Sequence, residues 1–187
     1  MNASCAVKLH LVRHPQPDVP PGLCYGASDV AVAEAELARV HAHLRAHDLP
    51  GTLPVHASPL QRCAKLAHRL QPRSLVFDAR LAEMDFGSWE MRAWDHIPRP
   101  EVDAWATDLL HYRPGGAECV IDVAQRVAAF IDDLRQANIE EALLVCHAGT
   151  IRLLSAMRNG LAPDQAALDA ARQPHRIAYG ELLILEL

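Results

Sequence analysis

The sequence predicts a layered α/β protein, and three observations carry that prediction. Strand-like and helix-like segments alternate along the chain, the pattern of a sheet covered by helices. Two short apolar runs each end in a histidine, in Leu11-Val12-Arg13-His14 and in Cys146-His147-Ala148-Gly149. The 187 residues, half of them hydrophobic and 22% charged, suit one domain with a sizeable core and no disordered tract.

Ala6 to Val12 is a compact apolar run and reads as the first strand. Ala33 to Asp48 reads as a helix with Leu37, Val40, Ala42 and Leu44 among its apolar positions. Leu53 to Ala57 is a short strand, and Ser58-Pro59 predicts a helix start with serine as N-cap and proline in the first turn. Leu60, Cys63, Ala64, Ala67 and Leu70 share one face of that helix. Ser74 to Phe77 reads as another strand. Asp85 to Gly116 is rich in Trp, Pro and Gly, with one helix expected from Pro100 to Leu110. Val120, Val123, Val127, Phe130, Ile131 and Leu134 form a clear amphipathic helix. Ala142 to Cys146 is a strand, Thr150 to Met157 a helix, and Gly180 to Leu187 contains the last strand. No repeat or linker interrupts residues 1–187, which read as a single domain with a small cap or lid segment at about 91–116.

The formal net charge of −5 argues against a nucleic-acid binder. No apolar stretch is long enough to span a bilayer, so no membrane partner is expected. The start, Met1-Asn2-Ala3-Ser4-Cys5, lacks a basic and apolar leader, which favours a cytoplasmic protein. Five scattered cysteines without a C-x-x-C pair read as reduced thiols. His43 and His47 sit one helical turn apart beside His41, but without a further ligand type nearby they read as a solvated helix face. No metal and no cofactor are expected.

In open α/β sheets ligands bind at the carboxyl ends of strands. Two histidines delivered there, one beside an arginine, point to an anion site containing a nucleophile. Four motifs in order extend this reading: Leu11-Val12-Arg13-His14, Ala57-Ser58-Pro59-Leu60-Gln61-Arg62-Cys63-Ala64, Leu81-Ala82-Glu83-Met84-Asp85-Phe86-Gly87-Ser88-Trp89-Glu90 and His147-Ala148-Gly149-Thr150-Ile151-Arg152. Together they resemble the signatures of the histidine phosphatase superfamily, also called phosphoglycerate mutase-like. That resemblance implies a three-layer α/β/α sandwich with a mostly parallel central sheet.

It also implies roles. His14 attacks phosphorus and carries a phosphohistidine, splitting one hard step into two. Arg13, Arg62 and His147 hold the phosphoryl oxygens, the guanidinium forks in bidentate fashion. Glu83 protonates the departing alkoxide and then serves as base for water. Cationic neighbours disfavour protonation of His14. The substrate contacts implied are Arg13, Arg62, His147, Gln16, Tyr25, Ser28 and Ala148, and the partner is a small phosphorylated metabolite, with a homodimer left open.

Pro15 stands where the family has glycine, and Gln16-Pro17 where an acidic and a hydroxyl residue are common. Gly22-Leu23-Cys24-Tyr25-Gly26-Ala27-Ser28-Asp29 resembles the C-Y-G-R-T/S-D segment of α-ribazole phosphatases, lacking its arginine. The expected function is thus a phosphomonoesterase, with α-ribazole phosphate of cobalamin biosynthesis as the finer expectation. The alternatives are mutase-type phosphoryl transfer and a non-catalytic phospho-ligand sensor. A mutase needs a cover over its phosphohistidine, and a chain stopping at Leu187 with a modest 91–112 segment favours hydrolysis. A sensor needs neither nucleophile nor acid.

Overall fold

The computed structural model describes residues 6–158, 160–174 and 176–187; the readings of Met1–Cys5, Cys5 included, lie outside the described residues. The described strands are β1 (Lys8–Arg13), β2 (Val55–Ala57), β3 (Leu75–Phe77), β4 (Glu141–Cys146) and β5 (Leu182–Glu186), in the sheet order β3-β2-β4-β1-β5. All neighbours are parallel except β5, which runs antiparallel to β1. The expected mostly parallel sheet is present.

Side-chain alternation along the strands splits the core in two. Leu9 and Leu11 of β1 and Ala142, Leu144 and Cys146 of β4 face α4 (Val120–Gln136), α5 (Ala148–Met157) and α6 (Pro163–Arg172). Val12, Leu143, Val145, Val55 and Ala57 face α1 (Glu34–Arg45) and α2 (Gln61–Arg69). Helices therefore cover both faces, giving the α/β/α sandwich. A third, small cluster of Cys24, Trp89 and Ile97 packs with Val102 and Trp105 of α3 (Arg99–Thr107).

Register places the histidines. β1 and β4 pair from Lys8↔Glu141 to Arg13↔Cys146. The His14 N–H donates to the Cys146 carbonyl at 3.0 Å, so His14 and His147 leave adjacent strands at the same level. The Ser58 N–H donates to the Val145 carbonyl at 3.0 Å and brings the end of β2 to the same edge.

Two local expectations change. Ser58 is not the cap of α2, which begins at Gln61. Pro59 disfavours helical backbone at the residue before it, and the first-turn N–H of Gln61 donates to Asp29 Oδ1 at 2.6 Å. A distant carboxylate thus supplies the cap, and the Ser58 hydroxyl, left with a long 3.4 Å contact from the Leu60 N–H, reaches His147 at 2.8 Å. Helix α6 was not foreseen. Its buried residues are Ala166, Ala167 and Ala170, too small to register as an apolar stripe.

Candidate active site

His14 and His147 are buried side by side, their ring centroids 5.1 Å apart. The Pro15 carbonyl oxygen lies 2.7 Å from His14 Nδ1. A carbonyl only accepts, so Nδ1 carries the hydrogen and Nε2 keeps a free lone pair. The proline thus supplies an acceptor where it removes a donor. Burial, followed by Arg62 and then Arg13, pushes the His14 pKa from 6.5 down to about 3, while the Pro15 hydrogen bond opposes the shift. The neutral imidazole was expected from its cationic neighbours, but burial is its first cause. His147 is fully buried and held well below its ordinary value, again mainly by burial and then by His14 and the arginines. Ser58 Oγ lies 2.8 Å and Cys63 Sγ 3.5 Å from its Nε2, fixing the ring.

Arg13 and Arg62 flank the histidines, and backbone carbonyls orient both. Arg13 Nη1 donates to the Ile177 carbonyl at 2.5 Å, and its guanidinium lies 3.8 Å over the Tyr179 ring. Arg62 donates through Nη1 to the Ser28 carbonyl at 2.7 Å and through Nη2 to the Gly26 carbonyl. Neither guanidinium pairs with a carboxylate among the described residues, and both Nε atoms are buried without a partner. Two buried cations lacking a counter-ion beside a neutral imidazole form a ready site for a phosphoryl group.

The carbonyls that hold Arg62 belong to a loop clasped by Glu90. Its carboxylate accepts from the N–H groups of Gly26, Ala27, Ser28 and Phe86 and from the Ser28 hydroxyl. Burial raises the Glu90 pKa, but these donors outweigh it and the net shift is downward. Gly26 sits so close to the strap formed by residues 82–86 that a Cβ would lie 1.9 Å from the Met84 carbonyl oxygen.

Glu83 approaches from the opposite side. Its Oε2 accepts the Gly149 N–H at 3.1 Å, a free donor in the first turn of α5, and Oε1 accepts its neighbour's Met84 N–H at 3.1 Å. Behind it, Arg126 donates to the carbonyls of Arg80, Ala82 and Glu83 and pairs with Glu118, whose carboxylate accepts the Asp85 N–H. The strap bearing Glu83 is thereby tied to α4.

A cavity of about 430 Å³ joins these parts. Arg13, His14, Tyr25, Arg62, Glu83 and Ala148 line it; His147, expected to touch the phosphoryl oxygens, is fully buried against His14 and is not in the lining. Ser28 acts on Arg62 and Glu90 and is not in the lining. Gln16 is exposed and outside the lining, its N–H donating to Glu36. Sequence reasoning missed Tyr179, which stacks on Arg13 and whose hydroxyl lies 2.8 Å from that of Tyr25. It missed Arg126 as the anchor of the strap, although an arginine directly beside the α4 apolar positions Ala124 and Val127 was a signal. Arg152, one turn along α5, also lines the cavity, and its Nη2 donates to the carbonyls of Ala170 and Gln173. His43 and His47 lie outside the cavity with their Nε2 atoms 3.2 Å apart.

Comparison with known proteins gives concordant findings. The family model described as histidine phosphatase superfamily (branch 1) matches residues 9–174. A candidate phosphoserine phosphatase of Hydrogenobacter thermophilus is 26% identical over 163 residues, 82% of this chain and 79% of that protein. The adenosylcobalamin/alpha-ribazole phosphatase of Escherichia coli is 32% identical over 100 residues, 51% of this chain and 48% of that protein. The crystal structure of the alpha-ribazole phosphatase from Shigella flexneri superimposes with a TM-score of 0.78 at 24% identity, covering 95% of this chain and 89% of that one; it speaks for the fold.

Proposed function

The chain belongs to the histidine phosphatase superfamily and is a phosphatase, and from that premise we propose that it hydrolyses phosphomonoesters through a phosphohistidine formed on His14. The observation that carries this reading is the Nδ1–H bond from His14 to the Pro15 carbonyl, which leaves Nε2 unprotonated between two guanidinium groups. Phosphoryl transfer needs little covalent help from the protein beyond alignment and charge. Arg13 and Arg62 supply the charge, and their guanidinium N–H groups donate to the phosphoryl oxygens as these spread. His147 fixes the geometry from behind.

Nε2 of His14 forms the bond to phosphorus as the ester P–O bond breaks. Glu83 gives its proton to the departing alkoxide, then takes one from the water that attacks phosphorus, and the His14 Nε2–P bond breaks to release inorganic phosphate. Glu83 can change protonation without losing its place, because the Gly149 N–H and the strap anchored by Arg126 hold it.

The finer substrate we propose is α-ribazole phosphate. The Gly22–Asp29 segment and the name of the partly matching Escherichia coli relative support it. The Tyr25 of that segment lines the cavity and lies against Arg62. Residues 91–116 serve as the cap in this reading.

The experiment is to trap the phosphoenzyme under alkaline conditions with a radiolabelled phosphomonoester. Wild-type protein should carry an acid-labile label and His14→Ala none. Equal labelling of both would overturn the assignment of His14.

A further inference from the structure

A phosphoryl group fills only the end of the cavity bounded by Arg13, His14 and Arg62. Apart from Glu83, Arg152 and the two tyrosines, the rest of the cavity lining is apolar and forms an apolar arm. Phe86, Trp94 and Trp105 wall it, with Leu109 and Leu153 completing it. The two indoles are nearly parallel, at 9° and 6.3 Å between centroids, and Phe86 stands close to perpendicular to both. Trp89, the fourth ring of this group, is fully buried and explains itself as core. Trp94 is 38% exposed, and Trp105, packed on its other side against the core, is only partly buried; both face the cavity. Large apolar surface left uncovered beside a polar reaction centre marks a binding wall.

We propose that this arm is the leaving-group subsite and that it selects phosphomonoesters whose alcohol carries a flat aromatic ring system. The proposal rests on the phosphatase reading above and adds the residues that choose the substrate. Aromatic rings stack face-on or pack edge-to-face on such walls, whereas a saturated ring of equal bulk gains only its buried area. The phosphoryl end is common to every substrate, so discrimination falls to Phe86, Trp94 and Trp105. Small zwitterionic leaving groups, or sugars that bear no aromatic ring, would leave the arm empty or wet.

The test uses three alkyl phosphates of similar leaving-group basicity: ethyl phosphate, 2-cyclohexylethyl phosphate and 2-(1-naphthyl)ethyl phosphate. For the wild type, kcat/KM for the naphthyl ester should exceed that for the cyclohexyl ester by roughly tenfold, the worth of one aromatic stack. The ratio between those two esters should collapse towards one in Trp105→Leu, mainly through KM. Trp94→Leu, at a more exposed position that tolerates replacement, should lower it too and stands in if the first variant fails to fold. Equal kcat/KM for the naphthyl and cyclohexyl esters in the wild type overturns the proposal, as does an unchanged ratio in the folded tryptophan variants. Hydrolysis of ethyl phosphate without ring preference sinks only the subsite; hydrolysis of none of the three sinks the phosphatase reading with it.

Discussion

Replacing Gly149 by alanine should separate the placing of Glu83 from the stability of the fold. A Cβ built at Gly149 lies 2.2 Å from Glu83 Oε1 and 3.1 Å from its carboxyl carbon, where ordinary contacts begin at 3.4 Å. The carboxylate end must retreat by about 1 Å, and a displacement of that size at a catalytic group costs about 100-fold in rate. Folding should barely notice. The group displaced is the tip of a flexible side chain, and alanine in place of glycine within a helix favours α5 by roughly 0.5–1 kcal/mol. That gain offsets much of the strain and of the lost bond from the Gly149 N–H to Glu83. The assay is steady-state hydrolysis of p-nitrophenyl phosphate and of an alkyl phosphate, beside thermal unfolding. The expected result is an unchanged Tm, a loss of about 100-fold in kcat on the alkyl ester, and a much smaller loss on the aryl ester, whose phenolate leaves without a proton. Equal losses on the two esters would refute the leaving-group role of Glu83, and full activity on both would show that Gly149 does not govern its position.

Glu83→Gln should follow the same substrate pattern more steeply, losing on the order of 10²–10⁴-fold on alkyl esters and far less on aryl ones; a uniform loss would shift the role to Asp85. Because the His14 pKa is about 3 in the folded protein and 6.5 in a free imidazole side chain, the unfolded chain binds the extra proton first, so stability falls as pH drops through 6.5. Between pH 7.5 and 5 that one group costs about 2 kcal/mol, and urea unfolding at those two pH values should show a smaller difference in His14→Gln than in wild type. Glu90→Ala leaves five donors without an acceptor in a half-buried loop, so it should cost about 3 kcal/mol in stability and raise KM as Arg62 loses its seat; an unchanged KM would detach the clasp from substrate binding.

Much of the architecture was legible because it is written in large apolar residues. β1 and β4 are short continuous apolar runs, and α4 repeats Val, Phe, Ile and Leu on one face, so their extents fall within a residue or two of expectation. α6 lacks such residues and packs through alanines against α4 and α5, which leaves no periodic trace. The start of α2 was misplaced for a different reason: local capping signals stand in the sequence at Ser58, but the acceptor used is Asp29, distant in the chain. In the site, Arg13, His14, Arg62, Glu83 and His147 come from the four motifs and converge. Tyr179 and Arg126 do not belong to them, and their partners lie far away in sequence. Contacts of that range depend on how the strands are ordered, and no local pattern encodes the order.

The way the arginines are seated has a kinetic consequence. Carbonyl oxygens, not carboxylates, orient Arg13 and Arg62, so their positive charge remains whole when the reaction ends. In the proposed reaction the inorganic phosphate released meets the same guanidinium forks that grip the ester. Free phosphate should therefore inhibit competitively, so that the ambient phosphate level raises the substrate concentration at which the site works and throttles flux when substrate is scarce.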